Sequence, residues 1–138
     1  MSPLTRSLAL IAHDNRKVDL VAWATFNRET LAQFTLMATR QTARLMREKV
    51  GLDVEALLGG PEGGDAQIAA RVATGGVEGV FFFVDPLTAQ PHDPDIRALL
   101  RVCNVHNVPL ATNVASADLI IAALSQAGAA CARAAADG

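Results

Sequence analysis

The run Val80-Phe81-Phe82-Phe83-Val84 constrains this chain more than any other stretch. Five consecutive apolar residues leave no polar face. A strand built from them must be covered on both sides, as in a parallel sheet with helices above and below it. Asp85-Pro86 ends the strand, because proline has no amide hydrogen to give to a ladder. The loop beyond carries His92, Asp93 and Asp95 to a helix opening at Pro94. Together with Asp85, this gathers three carboxylates and an imidazole at the carboxyl end of a central strand. In open α/β sheets that edge is where ligands bind.

The rest of the chain alternates in the same way. Leu8 to Ala12 reads as a strand delivering the polar loop His13 to Lys17, after which Val18, Val21, Ala22 and Phe26 recur at helical spacing. Phe34 to Ala38 reads as a strand, and Thr39 to Thr42 leads into a helix with Ala43, Met46 and Val50 on one face, stopped by Gly51. Leu52 to Leu58 is the candidate edge strand. The glycine-rich loop Gly59 to Gly64 follows, and Asp65 opens a helix with Ile68, Ala69 and Val72 apolar. Beyond the Phe-rich strand, a helix from Pro94 to Asn107, a short strand at Pro109 to Thr112 and a helix from Ala115 to Leu124 complete the alternation. Ser125 to Gly138 is Ala- and Gly-rich without pattern, the composition of a partly disordered tail. The expected fold is a single domain over 1–138, a three-layer α/β/α arrangement around a parallel sheet of about five strands.

Composition excludes several function classes. At 138 residues, 51% hydrophobic and 19% charged, the chain is that of a globular domain. A net charge of -2 without a Lys/Arg cluster gives no footprint for nucleic acid or anionic membrane. No apolar run reaches membrane-spanning length, and the start of the chain does not read as a signal sequence. Cys103 and Cys131 are the two cysteines, neither with a neighbour at metal-ligand spacing, so both are read as reduced thiols of a cytoplasmic protein. His13, His92 and His106 define no metal-ligand set.

Each chemically interesting residue also has a plain structural reading. Asp65 is a natural helix N-cap, yet four glycines precede it, and such loops turn their amides towards a ligand and suit phosphate. Beside that cradle, a carboxylate can act as a general base. Asp93 before Pro94 has the pattern of a cap followed by proline, and Asp95 of a residue complementing the helix dipole. His92, flanked by Asp85 and Asp95 in one loop, can shuttle protons between neighbouring oxygens. His13 and Lys17 are either solvated or bind an oxyanion, and Thr39 and Thr42, around Arg40 and Gln41, are either caps or phosphate ligands.

Four segments together resemble the methylglyoxal synthase family, over about Leu8 to about Leu124. They are Ala12-His13-Asp14 with Lys17, Gly60-Pro61-Glu62-Gly63-Gly64-Asp65-Ala66-Gln67, the long run Asp85 to Asp95, and Pro109-Leu110-Ala111-Thr112-Asn113. The resemblance implies a cytoplasmic homohexameric lyase that turns dihydroxyacetone phosphate into methylglyoxal and inorganic phosphate without metal or organic cofactor. It further implies Asp65 as the base, His92 in binding and proton transfer, and Asp95 assisting. His13, Lys17 and Asp85 would belong to the substrate site, with Thr39, Arg40, Gln41, Thr42, Gly59 and Gly60 around the phosphate.

Departures from the family fall in the phosphate cradle. Thr39-Arg40-Gln41-Thr42-Ala43 stands where the family has Thr-Gly-Thr-Thr-Gly, and Gly59 where it has Ser. Two alternatives stand beside the lyase: a non-catalytic phosphometabolite-binding module, since the same fold serves as a regulatory domain in carbamoyl phosphate synthetase, and a related lyase for another phosphorylated carbonyl compound, which the rewritten cradle supports. Arg40 is the residue expected to restore charge to the altered cradle.

Overall fold

The computed structural model describes residues 6–137, with side chains up to Gln126. Five parallel strands form one sheet in the order β3-β2-β1-β4-β5: β1 (Ser7–Ala12), β2 (Thr35–Ala38), β3 (Val54–Ala56), β4 (Gly79–Phe83) and β5 (Leu110–Ala111). The middle strand is β1. The Phe-rich β4 is interior but sits one place from the centre, so the expectation of a central strand there is corrected. It runs one residue earlier than the expected Val80–Val84: Gly79 to Phe83 are all buried, as a run with no polar face requires, while Val84 lies beyond the strand and is half-buried.

Successive side chains of a strand point to opposite faces, and the core divides accordingly. On one face Leu8, Leu10, Phe81 and Phe83 pack beneath α1 (Lys17–Phe26), α2 (Arg28–Leu31), α3 (Arg40–Leu45) and α6 (Val114–Asp137). On the other, Ala9, Ile11, Val80 and Phe82 pack beneath α4 (Gly64–Ala73) and α5 (Asp93–Val105). α3 runs on through a π-helical turn, Met46–Val50, and stops at Gly51, whose φ of 80° is left-handed and costs glycine little.

Several expected details change. α1 buries Leu20, Trp23 and Ala24, whereas Val18 and Phe26, assigned to its apolar face, are 80% and 89% exposed. Trp23 decides the helix's rotation, because its ring stacks on Phe81 with centroids 4.8 Å apart and also meets Phe83. α4 begins at Gly64 with Gly63 as its cap, so Asp65 is inside the first turn and not the N-cap. Likewise His92 is the cap position of α5, and Asp93 its first residue. α6 continues through Asp137 where a patternless tail is expected from Ser125, in keeping with the high helix propensity of alanine. Gly138 lies outside the described residues.

The strand order reverses direction between β1 and β4: the chain moves outward from β1 to β2 and β3, then crosses back to β4 and β5. At such a switch point the two neighbouring loops diverge and leave a crevice at the carboxyl edge. The His13 amide bonds the Phe83 carbonyl at 3.1 Å, extending the β1–β4 ladder to the floor of that crevice.

Candidate active site

Three loops close around the crevice. After β1, the chain turns into a single 3-10 turn, Asp14–Arg16, that leaves His13 buried and extended at the strand end. After β3, the glycine loop folds through a 3-10 turn, Gly60–Glu62, and enters α4. Gly64 has no room for a side chain there, since a Cβ would overlap the Leu58 carbonyl and press on Thr39. The Leu58 amide donates to Gln67 Oε1 at 2.8 Å, so α4 holds the start of its own loop. After β4, the Asp85 amide donates to His13 Nδ1 at 2.9 Å, while the Asp85 carboxylate accepts from Asn15 Nδ2 and from the Leu87 amide. Hydrogen bonds from Thr88, Asn15 and Leu87 keep the Asp85 carboxyl below the usual carboxylate range. Asp85 thereby ties the β4 loop to the β1 loop.

Between these loops is a cavity of about 180 Å³, lined by His13, Asp14, Lys17, Thr39, Gln41, Gly59, Gly60, Glu62, Asp65, Gln90 and His92, with Ile11, Ala12 and Pro61. Asp65 is fully buried in it, and among the described residues neither carboxylate oxygen has a hydrogen-bond partner. His92 Nε2 lies 3.4 Å from Asp65 Oδ2, close enough for charge attraction but not aligned as a hydrogen bond. Burial pushes the Asp65 carboxyl up to about 6, an effect opposed by His92 and reinforced by the charge of Asp95. The His13 imidazole is pushed below its ordinary value, chiefly by burial and then by His92. It is therefore neutral near pH 7. Because Nδ1 accepts from the Asp85 amide, the proton sits on His13 Nε2, which like His92 Nδ1 is buried without a partner among the described residues. A Cβ on Gly60 would come within 2.7 Å of His92 Nε2, so the imidazole leans over a bare backbone.

Unpartnered buried polar atoms are costly, and among the described residues all of them except Trp23 Nε1 belong to a carboxylate and two imidazoles lining one small cavity. Such a group can take a proton from a small ligand and supply hydrogen bonds to its oxygens. Larger hollows of about 830 and 510 Å³ lie on the α1 and α6 side, but no histidine lines either. Among the described residues no cluster has the makings of a metal site.

Of the residues singled out in the sequence, His13, Lys17, Thr39, Gln41, Gly59, Gly60, Asp65 and His92 meet at this cavity. The other four stand outside its wall. Arg40 is exposed, because the first residue of α3 points away from the crevice while Gln41 lines it. Thr42 is buried beneath, accepting a hydrogen bond from Thr39 Oγ1 at 3.4 Å. Asp95 is half-buried in the first turn of α5, and Asp85 braces the loops. The idea that Arg40 restores charge inside the cradle is thus corrected. Lys17 Nζ instead donates to Asp14 Oδ1 and to Gln41 Oε1. Gln90 and Glu62 also line the cavity and were missed, although both fall within the segments carrying the family resemblance.

The fold and the cavity define a parallel α/β domain with an acid–base site for a small ligand at its switch point. The family model for the MGS-like domain matches residues 19–112, and the chain belongs to that family. It is 57% identical over 119 residues to a methylglyoxal synthase of Cupriavidus pinatubonensis, covering 86% of this chain and 92% of that protein. A methylglyoxal synthase of Thermus thermophilus is 54% identical over 117 residues, 85% of this chain and 93% of that one. A crystal structure of methylglyoxal synthase from Elizabethkingia anophelis superposes with a TM-score of 0.81 at 41% identity, over 86% of this chain and 78% of that one.

Proposed function

We propose that this chain is a carbon-oxygen lyase that converts dihydroxyacetone phosphate to methylglyoxal and inorganic phosphate. The observation that carries this reading is the buried Asp65 carboxylate, without a hydrogen-bond partner among the described residues, beside His92 in the wall of a cavity of substrate size. A carboxyl group raised to about 6 is ionised near neutral pH yet more basic than an ordinary aspartate, as a general base should be. Asp65 takes a proton from the carbon bearing the hydroxyl, and the electron pair passes to the carbonyl oxygen to give an enediolate. His92 and the N–H of neutral His13 stabilise its oxygens. This is the enolisation that triosephosphate isomerase also performs with a carboxylate and a neutral imidazole. Here the enediolate electrons expel the ester oxygen: the C–O bond breaks, phosphate leaves with the electron pair, and the enol product tautomerises to methylglyoxal.

Lys17, Thr39, Gln41 and the Gly59–Gly60 backbone hold the phosphate, with Thr42 supporting Thr39 from behind, Asp85 bracing the His13 loop and Asp95 tuning Asp65. Phosphate is then both product and inhibitor. The surroundings we infer are cytoplasmic, in accord with the free buried Cys103. We also infer a homohexamer, as the resemblance implies; the exposed Val18, Phe26 and Leu119 supply apolar surface for such contacts. Incubating the purified protein with dihydroxyacetone phosphate while following inorganic phosphate and methylglyoxal together tests the reaction. Equimolar appearance of both is expected, and consumption without methylglyoxal would overturn the assignment. Light scattering of the purified protein tests the subunit number.

A further inference from the structure

Gly59 has an ordinary extended backbone, with φ -64° and ψ 157°, so nothing in its conformation calls for glycine. Space does. A Cβ built there would overlap Glu62 Oε2, which means the Glu62 carboxylate is folded back over residue 59 at the rim of the cavity. The charges around that cavity are unbalanced. Among its described lining residues, Asp14, Glu62 and Asp65 bear carboxylates and Lys17 is the single ammonium or guanidinium group. The Lys17 charge is already met by Asp14, whose carboxyl is held low mainly by that hydrogen bond. Glu62 forms no ion pair among the described residues.

We infer that Glu62 is a specificity-determining residue, an anionic gate that weakens binding of a phosphate dianion and is accommodated only because residue 59 is glycine. The inference rests on reading the cavity as a phosphate-ester site. A negative charge a few ångströms from a dianion, at a solvent-exposed position, reduces affinity by about fivefold at low ionic strength, and less as salt screens it. An alanine at position 59 would push the carboxylate outward at little backbone cost, because the far end of a glutamate side chain moves freely. Two substitutions therefore remove one effect by different routes.

The test is calorimetric titration of inorganic phosphate into the parent, Glu62→Gln, Gly59→Ala and the double variant at about pH 7.5. Each single variant should bind phosphate about fivefold more tightly than the parent at low salt. The double variant should bind no tighter than either single one, and the advantage should shrink at high salt. Glu62→Gln binding phosphate no tighter than the parent would overturn the inference, as would an advantage that salt leaves undiminished. Turnover is measured separately. A protein that shows these phosphate affinities but releases no methylglyoxal from dihydroxyacetone phosphate refutes the reaction and not the gate; the converse result refutes the gate alone.

Discussion

Replacing Asp65 by Asn should stabilise the protein above neutral pH while removing its proposed base. Asp65 is fully buried with both oxygens unpartnered, and its carboxyl is raised from 3.8 to about 6. Between those values the unfolded chain has lost the proton and the folded chain keeps it, so stability falls as pH rises through this window. The displacement is about two pH units at about 1.4 kcal/mol each, giving about 3 kcal/mol of destabilisation present in full above pH 6 and absent below about pH 4. Asparagine is close to an isostere of the neutral acid and does not titrate. The variant should therefore match the parent near pH 4 and exceed it by about 3 kcal/mol near pH 8. His13, whose lowered value makes stability fall as pH drops below 6.5, acts in the same window with opposite sign. It is present in both proteins and cancels in the comparison. Urea unfolding of parent and variant at matched protein concentration across this pH range measures the difference. A parent–variant gap that does not change with pH would refute the claim that Asp65 is strained by burial in its ionised form.

Other outcomes follow from the same geometry. The rate with dihydroxyacetone phosphate should rise through about pH 6 as Asp65 ionises, and Asp65→Asn should lower kcat by about a thousandfold while phosphate affinity, read by calorimetry, is retained or tightened, because a buried negative charge in the same cavity has been removed. Equal loss of both would mark a role in folding instead. Gly60→Ala places a methyl group within 2.7 Å of His92 Nε2 and should cost about a hundredfold in kcat, visible in steady-state kinetics, by displacing the imidazole. Arg40→Gly should change KM by less than about twofold, because this exposed side chain lies outside the cavity wall. A large rise in KM would restore Arg40 to the phosphate site.

What the sequence determined by itself is the set of elements and the edge at which chemistry gathers. The Val80–Val84 run can only be a strand covered on both faces, and alternation of strand and helix leaves a parallel sheet whose loops open on one side. The motifs around His13, Asp65 and His92 were likewise legible, since turn glycines and loop histidines declare themselves locally. Tertiary structure decided the rest. The rotation of α1 depends on where Trp23 finds Phe81, a contact between residues 58 positions apart that periodicity within one helix cannot report. Whether Asp65 caps a helix or faces a ligand turns on a shift of two residues in where α4 begins, from a cap at Asp65 to a cap at Gly63, where Gly64 packs against Leu58 and Thr39. That Gln41 reaches the cavity while Arg40 turns to solvent is a matter of a helix's orientation to its neighbours. The charge balance at the cavity, with Glu62 folded over Gly59, exists only once three loops from different strands converge, because electrostatics depends on distance in space and not along the chain.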